Sequence, residues 1–153
     1  MSINTEAEGR VYPSAAPYQV SREAIREFAG AVKSEHPAHH DVDAATALGH
    51  RDLVAPPTFA VVVAQRAEAA VVADSEVGID FSRVVHADER FTHHSPILAG
   101  DTLNAQVTLD RIRLMGAGAM VTTRVEITTA EGEARSTVTS SLLVRADDEE
   151  ESA

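Results

Sequence analysis

The chain has 153 residues, 44% hydrophobic but only 4% aromatic, with no cysteine and a formal charge of −11 from 24 acidic and 13 Lys and Arg side chains. That length suits one domain, and the lack of cysteine excludes disulfide frameworks, thiolate nucleophiles and cysteine-based zinc sites. The acidic excess argues against nucleic acid, and neither a signal peptide nor a run of about 18 apolar residues is present, so a cytoplasmic protein without membrane association is expected.

After a short initial strand, Ser21 is placed to cap a helix whose apolar positions Ile25, Phe28, Ala29 and Val32 recur at i, i+3, i+4 and i+7. Val20 and Ile25 sit where a hydrophobic staple closes. Pro37 stops the pattern and biases His36 away from helical backbone, so a loop begins near Lys33. A short second helix is expected from Asp41 to Leu48, with acidic residues in its first turn and Gly49 as a left-handed cap. The loop resumes through HRDLVAPP.

The next stretch, TFAVVVAQRAEAAVVAD, is about four turns of Ala and Val interrupted only by Gln65, Arg66 and Glu68. A helix apolar nearly all round is expected to be buried and wrapped by other structure. Beyond Gly78 the period becomes two: an extended segment SRVVHADERFTHH precedes Leu103, Ala105, Val107 and Leu109, then Val121, Val125 and Ile127, then Val138, Leu142 and Val144. MGAG and AEGE read as hairpin turns. The alternation slips between Leu109 and Ile112, where a bulge would restore register and curve the sheet. An α+β fold follows: a single hotdog domain over residues 1–145, its curved antiparallel sheet wrapped around a central apolar helix. The remainder, 146–153, is a like-charge run expected to be a solvated, disordered tail.

Residues 36–50, HPAHHDVDAATALGH, carry four histidines and two aspartates. His36, His39 and His40 with Asp41 and Asp43 invite a metal reading, but Pro37 breaks the helix that their spacing would need. No metal and no cofactor are therefore expected. Exposed loop histidines without a role, or an acid/base and substrate-positioning role beside the buried helix, both stay open. Gly100 and Asp101 read as turn residues. Adjacent strand residues face opposite ways, so His93 and His94 do not grip one ligand together, and they and His86 read as solvated or interface groups. Small side chains on the Ala/Val helix would leave room for an acyl chain.

Lys33 to His39 resembles the G-D-x-N-P-x-H motif of the (R)-specific hydratases among the MaoC-like hotdog enzymes, with Pro37 and His39 matching. Ser34 stands where that family has its catalytic Asp, and His36 where it has Asn. The stretches GRVYPSAAPYQVSREAIREFAGAV, LGHRDLVAPPTF and RVVHADERFTHHSPILAGD are similar to the actinobacterial HadA-like subunits of (3R)-hydroxyacyl-ACP dehydratases, from about Gly9 to Arg145. Such subunits bind substrate, lack the Asp/His dyad and pair with a MaoC-like catalytic chain. Relatives of this type often have an aromatic where this chain has His39.

The resemblance implies a dehydratase/hydratase subunit for acyl-ACP or acyl-CoA, with His39 as the remnant catalytic group and His36, Pro57, Thr58, Phe59 and Val62 toward the substrate. In the active enzymes a backbone N–H at the buried helix start holds the thioester oxygen; here Pro56 and Pro57 own none. The alternatives are a self-sufficient homodimeric hydratase or thioesterase using His39 with Glu35 or His36, and a non-catalytic acyl-binding module. The partner is thus a MaoC-like catalytic subunit in a heterodimer, or a second copy in a homodimer.

Overall fold

The computed structural model describes residues 3–145. The expected acidic tail, 146–153, lies outside the described residues. Helix α1, Arg22–Ala31, starts where Ser21 Oγ accepts the Ala24 N–H at 3.0 Å. Ile25 and Ala29 are buried, Phe28 is partly buried, and Val32 falls on the cap and is exposed. Helix α2, Val42–Ala47, is capped by Asp41 and closed by Gly49 at φ 91°. A 3₁₀ turn over Pro57–Phe59 runs into α3, Ala60–Ala73.

Strands β1 (Tyr18–Gln19), β2 (Val84–His93), β3 (Thr102–Met115), β4 (Gly118–Thr129) and β5 (Ala134–Arg145) form one antiparallel sheet in the order β1-β3-β4-β5-β2. The register shift on β3 falls between Leu109 and Arg111, where the alternation slips in the sequence. Period two then sorts the side chains, as the pleat requires. Val107, Leu109, Val121, Val125, Val138 and Leu142 are buried in the same core as Ala60, Val63, Ala64, Ala67 and Val71 of α3.

Helix α3 departs from the expectation of burial all round. One face is buried, while Gln65, Arg66, Ala69, Ala70 and Ala73 are exposed. One sheet covers only one side of a cylinder, so wrapping of the other side would require a second body.

The two sheet edges differ. Residues 9–15 run along β3, with Gly9 N–H donating to Leu109 O, Tyr12 N–H to Val107 O and Ala15 N–H to Ala105 O. That segment and β1 cover the β3 edge. At the other edge β2 pairs only with β5, leaving its far side without a strand among the described residues. No described helix is long and apolar enough to cross a membrane.

Candidate active site

The residues after α1 are set by an unusual helix end. Ser34 N–H donates to Ala29 O at 2.8 Å and Lys33 N–H to Gly30 O at 3.3 Å, the paired bonds of a Schellman cap. Lys33 occupies the left-handed position, at φ 59°, where glycine is usual. The turn delivers Ser34 and then the 3₁₀ turn Pro37–His39, whose first N–H groups are capped by a histidine: Ala38 N–H donates to His36 Nδ1 at 3.1 Å.

His39 is buried, 8% exposed, and its Nδ1 lies 2.6 Å from Val54 O. A carbonyl only accepts, so Nδ1 carries the hydrogen and Nε2 of the neutral ring is left as the acceptor nitrogen. Val54 N–H donates in turn to Ala38 O at 3.0 Å, so the loop before α3 is strapped to the histidine turn twice. The His36 and His40 rings flank His39 edge-on, with centroids 5.9 and 6.4 Å away. His40 is engaged elsewhere: its Nε2 donates to Ser34 O at 3.0 Å, and its own carbonyl accepts from Arg26 Nε.

No described carboxylate forms an ion pair with His39. The histidine at the motif's last position is therefore oriented by a backbone carbonyl. Glu35 is exposed and makes no bond to it. Three or more His, Asp or Glu side chains do not converge in metal-binding geometry anywhere among the described residues.

The residues expected to face substrate divide in two. His36, Pro57 and Thr58 are exposed and Val62 half-buried, around the start of α3. Phe59 is 1% exposed and belongs to the core, its ring edge-on to Phe28 and Tyr18 at 5.4 and 6.3 Å. Phe59 N–H is spent on Pro56 O at 2.9 Å, so the first N–H beyond the proline pair is that of Thr58.

Loop 51–56 is held from the other side by Asp101, 5% exposed, which the sequence marks as a turn residue. Its carboxylate accepts from Arg135 Nε and Nη2 at 3.0 and 3.2 Å, from Arg51 Nη2 at 2.8 Å and from Leu98 N–H at 3.0 Å. Burial alone would push its acidity down; the bonds from Arg135, Leu98 and Arg51 more than reverse this and hold the carboxyl below the usual aspartate range.

A second polar group was not anticipated. Glu68, on the buried face of α3 and 4% exposed, accepts on Oε1 from Thr123 Oγ1 at 2.9 Å and from Ser140 Oγ at 2.6 Å. Ser140 Oγ also lies 3.0 Å from Glu89 Oε1. A hydroxyl has one hydrogen, so Ser140 donates to either the Glu68 or the Glu89 carboxylate at any moment, not to both. Burial, with the Glu68 charge adding to it against the Ser140 contact, raises Glu89 above the usual glutamate range. Helical spacing carried the signal for Glu68, which is four residues from Ala64 and three from Val71.

Comparison with known proteins follows the same lines. A family model described as FAS1-like, dehydratase domain region, matches residues 6–137. A UPF0336 protein of Clavibacter michiganensis is 46% identical over 148 residues, covering 97% of this chain and 99% of the relative. Among solved structures, the C-terminally truncated HadBC (3R-hydroxyacyl-ACP dehydratase) complex of Mycobacterium tuberculosis matches with a TM-score of 0.81 at 34% identity, over 94% of this chain and 99% of that one. A MaoC-like dehydratase matches with a TM-score of 0.85 at 34% identity, over 94% of this chain but 43% of the other. The chain belongs to the FAS1-like dehydratase-region family, in the hotdog fold of the MaoC-like dehydratases.

Proposed function

We propose that this chain is the substrate-binding subunit of a (3R)-3-hydroxyacyl-thioester dehydratase and that a MaoC-like hotdog partner supplies the catalytic Asp and His. Dehydration removes the proton alpha to the thioester and the hydroxyl from the beta carbon, releasing water and an enoyl thioester. The proton needs a base, and the leaving hydroxyl needs an acid. One observation carries the reading: His39 is turned by Val54 O, with Ser34 at the motif's carboxylate position and no described carboxylate paired with the ring. One imidazole nitrogen is left to handle protons, and an alcohol is no useful base near neutral pH.

In this reading Pro57, Thr58 and Val62, with His36, border the acyl thioester at the start of α3, and Phe59 forms the packed floor beneath. The open edge of β2 and the exposed face of α3 receive the partner, whose sheet would continue this one. Two likenesses support such a pairing. The HadBC match is a complex of a 3R-hydroxyacyl-ACP dehydratase, and the MaoC-like match is a chain more than twice as long as the part this fold occupies. The carrier is acyl carrier protein or coenzyme A, and the setting cytoplasmic fatty acid metabolism, without metal or cofactor.

A second reading, a homodimer that hydrates enoyl thioesters or hydrolyses acyl thioesters through His39, is favoured by the burial and fixed tautomer of that ring. Crotonyl-CoA hydration separates the readings. The expected result is no turnover by the pure chain and turnover when a candidate MaoC-like subunit is added. Turnover by the chain alone, lost in His39→Ala, would establish the second reading instead. If neither preparation reacts although an acyl thioester binds, the chain is a binding module and both enzymatic readings fall.

A further inference from the structure

The segment that leads into α3 has an imidazole at each end. His39 stands at its start, bonded to Val54 O. His93 closes β2, and register places its side chain on the inner face of the sheet. It is opposite Ser136 of β5, as Phe91 two residues earlier is opposite Val138. Ser136 and Val138 are buried, and Phe91 packs against the core. Adjacent strand residues face opposite ways, and His94 accordingly meets Thr137 Oγ1 rather than Ser136.

The chain beyond β2 carries His93 to the start of α3. Val54 is bridged antiparallel to Leu98, and Ala55 N–H donates to Ile97 O at 2.8 Å. Five residues along from that bridge stand Phe59 on one segment and His93 on the other, and β2 packs against the Pro57–Phe59 turn. His93 is exposed there.

Its ring has a polarity opposite to that of His39. Ser136 is 1% exposed, and its hydroxyl has one described partner, His93 Nδ1 at 2.9 Å. A buried hydroxyl hydrogen without an acceptor is costly, so Ser136 donates and Nδ1 accepts. The hydrogen of the neutral ring is then on Nε2. In His39 the arrangement is reversed, with Nδ1 donating to Val54 O and Nε2 the acceptor. The Phe91 ring stacks on His93, 5.9 Å between centroids and 12° between planes, and with the Ser136 bond it fixes the ring's orientation.

A donor at this place has a use in the reaction proposed above. As the proton alpha to the thioester leaves, negative charge develops on the thioester oxygen, and preorganised donors aimed at it lower the barrier. Pro56 and Pro57 own no N–H, and Phe59 N–H is held by Pro56 O, which leaves Thr58 N–H as the backbone donor of this turn.

We propose that His93 supplies a second donor, its Nε2–H binding the thioester oxygen of the acyl substrate beside the start of α3. Ser136 and Phe91 hold the ring for that contact. The assignment rests on the acyl-thioester reading and gives this chain the part of the site that polarises the carbonyl, while the partner's Asp and His move the protons.

The carbonyl stretch of crotonyl-CoA, isotopically labelled at the thioester carbon, reports such a donor directly. Infrared difference spectra would be taken with the full chain, alone and mixed with a MaoC-like subunit. Binding should lower the stretching frequency relative to free solution. His93→Leu should abolish that shift and weaken binding roughly tenfold. His93→Gln, whose amide N–H falls near the position of Nε2–H, should keep most of it, and Ser136→Ala, which releases the other tautomer, should reduce it. His86→Leu, at the far end of the same face of β2, should leave it unchanged. Circular dichroism of each variant checks that the fold is kept. A full shift in crotonyl-CoA bound to His93→Leu overturns the assignment and leaves the dehydratase reading standing. So does a loss in His93→Gln as complete as in His93→Leu, which would make ring packing rather than a donor responsible. If crotonyl-CoA binds neither preparation, the acyl-thioester reading fails and this assignment falls with it.

Discussion

Asp101 and Arg135 are both charged and both buried, at 5% and 7% exposure. Removing one partner of such a pair leaves the other charge desolvated, which costs about 3–5 kcal/mol. Asp101→Ala is therefore expected to lower unfolding free energy by that amount in urea titration, while Arg51→Ala, at the exposed end of the same network, costs under about 1 kcal/mol. Because the Asp101 carboxyl is held below its unfolded value, its contribution is present above the unfolded range near pH 4. It is lost as pH falls through the lowered folded value. Glu89 has the opposite sign. Its folded value is raised, so its contribution is full below the ordinary glutamate range and disappears as pH rises through the folded value. Glu89→Gln keeps an acceptor for the Ser140 hydroxyl without an ionisable proton. Stability measured against pH in that variant should lose the decline attributable to Glu89, and a decline identical to the parent would show that Glu89 does not titrate differently in the fold.

The elements around the site are shaped by their ends. Helix α1 terminates with Lys33 in left-handed backbone at φ 59°, a conformation that costs a residue with a Cβ about 1–2 kcal/mol. Glycine relieves that strain but loses more chain entropy on folding. Lys33→Gly is thus expected to raise stability by about 0.5–1 kcal/mol, seen as a higher urea midpoint at unchanged slope, and Lys33→Val to lower it. No glycine marks this helix end in the sequence, so what is legible there is Pro37 four residues on. The start of α3 was plainer. Pro57 opens its 3₁₀ turn as a proline at a first helical position should. That α3 packs on the curved sheet follows from the pattern, but how much of the helix is covered does not, because a run of Ala and Val has the same periodicity whether one face or all of it is buried.

Across the whole molecule, the N-terminal segment and the end of α3 are joined at Asp74, which accepts from Tyr12 Oη at 2.8 Å and from Arg10 Nη1 at 2.6 Å. Burial, followed by the Asp74 bond, pushes the Tyr12 hydroxyl up to about 12. A group that stays protonated longer in the fold than in the unfolded chain stabilises fully below its unfolded value near 10. Alkaline unfolding should therefore set in as pH rises from there toward 12, and Tyr12→Phe should flatten that part of a melting-temperature profile.

The alternating strands, the Ser21 cap, the bulge after Leu109 and the two hairpin turns were all written in local pattern. Each depends on backbone preferences and hydrophobic period over a few residues, so a short window of sequence suffices. The motif-like run from Lys33 to His39 located the candidate site in the same way. Only the tertiary structure decided that Val54 O fixes the His39 tautomer, that Asp101 meets Arg51 and Arg135, and that the Ser140 hydroxyl stands between the Glu68 and Glu89 carboxylates. These partners are 15 to 72 residues apart in the chain. Contacts at that separation are set by how the sheet and helix stack, which leaves no periodic trace in the residues themselves.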